Sequence, residues 1–164
     1  MNLPTLAQLK KELSSLDHKT LIGFLGDLAK LNKDNKTYLY FKLREKDEPG
    51  LFLQECIEEL DAEFASGYYS NNYHTAKKSA QKIRRTLNKL LSINKDKAVH
   101  VELLISFCKS MEEYGYLDFR HPVIDNLYAQ QVRKLEKALQ SLHEDIQYDY
   151  EDTLDELRSH MRAY

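Results

Sequence analysis

Tryptophan is absent from this 164-residue sequence, and it holds only five glycines, three prolines and two cysteines. Two thiols cannot form a disulfide framework. So few breakers argue for long helices over many turns. No apolar run approaches the roughly 18–20 residues that a membrane span requires. Nothing at the N-terminus reads as a signal peptide, so the expected compartment is the cytoplasm. Phosphate-binding loops need glycines that let backbone N–H groups approach an anion. The sequence has neither GxGxxG nor GxxxxGK[ST], so no nucleotide cofactor is expected. Charge of one sign is missing overall as well. The formal net charge is −2 and the pI about 6.3, which excludes a globally basic polyanion binder.

What remains has globular composition, 42% hydrophobic and 30% charged. A chain of this length typically buries roughly 70% of its unfolded surface, enough for one core without staples. One domain spanning 1–164 is the expectation. Break signals fall at Ser14-Ser15, Asn32 to Asn35, Asp47 to Gly50, Ser66-Gly67 with Asn71-Asn72, Asn94 to Asp96, and Gly115 to Pro122. Between them apolar residues recur at helical spacing. This predicts about seven or eight helices, near 5–14, 17–31, 35–45, 49–65, 73–92, 96–114, 122–143 and 149–162. The fold class is therefore all-α, a multi-helix bundle or a short helical-hairpin array. The stretch Thr37-Tyr38-Leu39-Tyr40-Phe41-Lys42-Leu43 is rich in strand formers, but a lone strand would have no partner.

Four apolar stripes define the expected core. They are Leu53, Cys56, Ile57, Leu60 and Phe64; Val101, Leu104, Ile105, Cys108 and Met111; Ile124 through Leu142 behind Pro122; and Tyr150, Leu154, Leu157 and Met161. Pro49 suits a first helical turn, Gly67 a C-terminal cap and Gly115 the close of the second stripe. The helix at 17–31 differs, because Gly23 and Gly26 lie opposite Leu21, Phe24, Leu25 and Leu28. Two mid-helix glycines each cost roughly 1 kcal/mol relative to alanine. They predict a central helix with a neighbouring backbone close over the glycine side; a groove admitting a partner is the alternative.

Catalytic constellations are thin. The six histidines form neither HxxxH nor HExxH, and Asp118-x-x-His121 is a single copy in a loop, so no metal is expected. Exposed or capping histidines are the alternative. Cys56 and Cys108 fall on apolar stripes and read as buried structural thiols. His100 is about 12 Å along the helix axis from Cys108, too far for a dyad. Adjacent carboxylates such as Glu58-Glu59 and Glu112-Glu113 point about 100° apart and do not share a site. Gln131 lies inside an apolar stripe, as a buried hydrogen bond would require. Eleven tyrosines cluster in part at helix ends: Tyr68, Tyr69 and Tyr73, then Tyr114 and Tyr116 with Phe119. Such clusters serve helix-end packing or recognition.

Charge is segregated along the chain. Residues 45–76 carry eight acids against Lys46, and residues 77–97 carry eight basic residues against Asp96. Residues 144–164 carry seven acids against Arg158 and Arg162. Lys78, Lys82, Arg85 and Lys89 fall within about a 60° arc of one helix, an edge able to contact phosphates or an acidic partner. Neutralisation by the flanking acidic blocks is the competing reading. No base-reading motif accompanies the basic edge.

Leu9-Lys10-Lys11-Glu12-Leu13-Ser14-Ser15-Leu16 and Leu28-Ala29-Lys30-Leu31 through Tyr38-Leu39 resemble a bacterial family of small all-helical proteins of unknown function. So do Ala76-Lys77-Lys78 to Arg85, Glu102-Leu103-Leu104 through Gly115, and Asp152-Thr153-Leu154-Asp155-Glu156-Leu157. The resemblance implies an all-helical cytoplasmic bacterial protein and supplies no catalytic residue. The function expected is a non-enzymatic protein-interaction module with a protein partner and no cofactor. Nucleic-acid binding through the basic 77–97 segment is the alternative, and the sequence leaves the oligomeric state open.

Overall fold

The computed structural model describes residues 1–67 and 72–162. Among these the chain forms nine α-helices, one short 3-10 turn and no strand, as the all-α expectation required. Contacts divide it into two compact units, Met1–Leu43 and Arg44–Tyr164.

The first unit holds α1 (Leu6–Leu13), α2 (His18–Leu31) and nearly all of α3 (Lys33–Arg44). Each start has a local cause. Thr5 and Gln8 form a reciprocal capping box at α1, satisfying two backbone donors at once. Asp17 accepts from the Thr20 backbone N–H at 3.0 Å and opens α2. Asn32 accepts from the Asn35 N–H at 2.7 Å and starts α3. The strand-forming stretch 37–43 is helical, since a helix bonds its own backbone and needs no partner strand.

No residue of α1, α2 or α3 is buried. This corrects the expectation of a central helix at 17–31. Phe24, Leu25 and Leu28 are each nearly half exposed, and a Cβ at Gly23 or Gly26 would meet nothing within 4 Å. The glycines accommodate no neighbouring backbone.

The second unit carries the core. It comprises α4 (Leu51–Gly67), α5 (Tyr73–Ile93), α6 (Lys97–Glu113), the 3-10 turn Tyr116–Phe119, α7 (Pro122–Leu139), α8 (Glu144–Asp149) and α9 (Glu151–Ser159). Helix α6 packs against α4, α5 and α7, and α9 packs on α7. All five residues of the expected α6 stripe are buried, and Leu103, Phe107 and Ser110 are buried as well. Their positions span more than half of the helix circumference at 100° per residue. Gly115 ends α6 at φ 71, a left-handed conformation that glycine adopts without a Cβ penalty. Pro49 falls outside α4, which begins only after Gly50. The last expected helices also divide differently, with α7 stopping at Leu139 and His143 capping the extra short α8.

Gly67 is the last residue of α4 and matters for space. A methyl group there would collide with the hydroxyls of Ser79 and Tyr116, which hydrogen-bond to each other at 2.8 Å. Gly67→Ala should therefore lower the melting temperature, at a cost of about 1–3 kcal/mol for overpacking. Gly26→Ala should act in the opposite direction, because open space leaves only the helix-propensity gain of about 1 kcal/mol. Thermal denaturation of the two variants beside the wild type checks both signs.

Candidate functional site

The expected basic edge lies on α5, with Lys78, Lys82, Arg85 and Lys89 all exposed. Helix α5 has this orientation because Ala76, Ala80, Ile83, Leu87 and Leu90 are buried on its other side. The edge is partly occupied from within. Glu63 on α4 stands 3.5 Å from the Lys82 ammonium and accepts the Thr86 hydroxyl at 3.0 Å. Lys89 is likewise engaged, and Lys77 lies 5.7 Å over the Tyr73 ring. The acidic helix before α5 thus supplies part of the neutralisation that the charge map suggested. In the tail, Arg158 of α9 pairs with Asp155 at 3.0 Å and with Glu136 of α7 at 2.8 Å.

A second group of cations lies where α5 meets α7. Tyr73 stacks on His121 with ring centroids 3.8 Å apart, and Asn88 accepts a hydrogen bond from the Lys134 ammonium at 3.0 Å. The two helices therefore run parallel, and Arg84 falls level with residues 130–132. Arg84 precedes Asn88 by one helical turn, on the same face. Its Nε is buried and bonds to no protein group among the described residues. Lys134 is held below the usual lysine range, first by partial burial and then by the nearby Arg84 guanidinium. The seam thus holds two like charges, with the neutral Asn88 amide as the hydrogen-bond partner of Lys134.

Sequence patterning did not single out this pair. Arg84 lies off the arc of the basic edge, and Lys134 belongs to a helix whose apolar stripe dominates its pattern. A cation adjoining an apolar stripe on each of two helices was the available signal. Gln131 adds a second buried orphan on α7. Its Nε2 donates to the Leu127 carbonyl at 3.2 Å, while its Oε1 has no partner among the described residues. The hydrogen bond expected for Gln131 is therefore half made.

Other candidates have structural work. His121 and His143 cap α7 and α8, and the His100 Nε2 lies 2.7 Å from the Asn94 carbonyl oxygen. Among the described residues no cluster of His, Cys, Asp or Glu could hold a metal ion. Tyr114 stacks on Phe64 at 6.1 Å and Tyr116 meets the same ring edge-on at 5.4 Å. These two serve helix-end packing, while Tyr68 and Tyr69 lie outside the described residues. A groove of about 350 Å³ between α7, α8 and α9 is rimmed by Glu136, Glu144 and Glu151, and its Arg158 is held by Glu136 and Asp155.

No protein-family model, curated protein or solved structure matches this chain. Among the described residues no helix is long and apolar enough to cross a membrane.

The two cysteines are free and buried. Burial pushes Cys56 up to about 12, with Glu59 and Glu55 adding to it, and burial alone takes Cys108 to about 12. Neither is a thiolate near neutrality, so neither should react with an alkylating agent in the folded protein. Both should react after unfolding. The sign with pH follows from a folded value raised above the unfolded one. The thiols' contribution to stability is complete below about pH 8.5, the free-thiol value, and is lost as pH rises toward 12. A melting temperature that falls through this alkaline window, and falls less steeply in a Cys56→Ala/Cys108→Ala protein, is the expected result.

Proposed function

We propose that the chain is a non-enzymatic cytoplasmic protein-interaction module, and that its 1–43 unit engages the partner. One observation carries this reading: three well-capped helices occupy 1–43 without one buried residue. Stretches of about this size seldom bury enough surface to stand alone. Large apolar side chains remain in water, among them Leu9, Phe24, Leu25 and Leu28. Covering the exposed half of each would contribute about 1 kcal/mol.

The charge of the unit favours one kind of occupant. Seven lysines against Glu12, Asp17, Asp27 and Asp34 give 1–43 a balance of +3. An apolar helix flanked by acidic residues matches both the exposed leucines and the lysines beside them. The open Gly23 and Gly26 side lets such a helix approach the backbone closely. The buried, un-ionised thiols support a role without nucleophilic chemistry.

Zero-length carbodiimide coupling, which joins lysine amines to carboxylates in contact, tests the proposal. Applied to the full chain with its co-purified partner, it should join Lys11 or Lys19 to acidic residues on an apolar helix of another polypeptide. A Leu25→Glu/Leu28→Glu protein should lose both partner and cross-link while keeping the main thermal transition. Cross-links between two copies of the chain, with sedimentation that changes with concentration, would replace the reading with self-association. Absence of any co-purifying protein would overturn it.

A further inference from the structure

We propose that Arg84 and Lys134, brought together across the α5–α7 seam, bind a phosphoryl dianion such as inorganic phosphate or a phosphate monoester. The site is independent of the 1–43 unit. Its parts come from two helices whose parallel register is fixed at both ends, by Tyr73 on His121 and by Asn88 on Lys134. Asn88 orients the ammonium by accepting one of its protons at 3.0 Å and leaves two donors free. Arg84 is half-buried, and its Nε–H is a buried donor with no protein acceptor among the described residues. A buried, unpaired donor on a charged group is costly unless something accepts from it.

No carboxylate of the described residues pairs with either cation at this seam, in contrast to Lys82 on the neighbouring edge. An anion seated between them would accept from the guanidinium and the ammonium together. It would also relieve their mutual repulsion, which together with partial burial weakens the hold of Lys134 on its proton. Charge count selects the anion. Two cations match the roughly −1.5 to −2 charge of a phosphate monoester at neutral pH. A carboxylate, or one phosphodiester of a nucleic-acid backbone, brings a single charge. Arg84 supplies a planar fork of donors suited to phosphoryl oxygens, and Lys134 a compact charge.

The test titrates inorganic phosphate into the full chain at constant ionic strength, with chloride as the compensating anion. Binding is followed by calorimetry and by the Arg84 Nε–H resonance in a proton–nitrogen correlation spectrum. Saturable heat and a matching saturable shift of that resonance are expected. Arg84→Met and Lys134→Met should each weaken binding about tenfold or more, since a charge-assisted hydrogen bond contributes on that scale. Lys78→Met, on the exposed edge, should leave it unchanged. Lys134 is exposed, so its variant tests the site even if Arg84→Met fails to fold; the wild-type resonance needs no variant. A shift that grows linearly with phosphate, or binding that survives Lys134→Met, would overturn the proposal. So would a short single-stranded oligonucleotide that binds through this seam where phosphate does not, because that result assigns the surface to nucleic acid.

Discussion

Helix α6 is enclosed by α4, α5 and α7, and the organisation of residues 44–162 depends on that enclosure. Its buried side chains, among them Leu103, Phe107, Cys108 and Met111, take up more than half of its circumference and leave one polar face, with Lys109 and Glu113, in water. The surrounding helices must therefore each turn an apolar stripe inward. Phe64 of α4 meets Phe107 edge-on at 5.2 Å, and Tyr114 and Tyr116 close the end of the same cluster. Tyr128 of α7 donates to the Leu157 carbonyl at 2.9 Å and fixes α9 against α7. Close packing of this kind transmits any change of volume, which is why an added methyl at Gly67 matters.

The same enclosure distributes charge. Once α5 turns its apolar stripe toward α6, its lysines and arginines have two edges left. One edge faces α4, where Glu63 takes Lys82. The other faces α7, where Asn88 holds Lys134 near Arg84 and no carboxylate pairs with either cation among the described residues. Neighbours in sequence thus end in opposite electrostatic settings.

Residues 1–43 obey a different constraint. Capping residues mark the starts of α1, α2 and α3, yet no residue of these helices is buried. Helices gain most of their stability from packing an apolar face. A segment with good local signals and no buried residue therefore draws little of its stability from a core of its own. The glycines of α2 fit that account, since an open backbone face has no core to serve.

Local chemistry in the sequence determined the helical class, most helix limits and the stripes that include Cys56, Leu60, Phe64, Cys108 and Leu157. Periodicity, capping residues and scarce breakers act within a few residues, so they are legible along the chain. Only the tertiary structure decided that α6 is buried well beyond one stripe and that Gly23 and Gly26 face open space. It alone showed that Gly67 is crowded by residues 12 and 49 positions further on. It also decided that Lys82 is paired while Arg84 stands beside Lys134. Each of these depends on which helices become neighbours and in what register, and one-dimensional spacing carries no distance between separate helices.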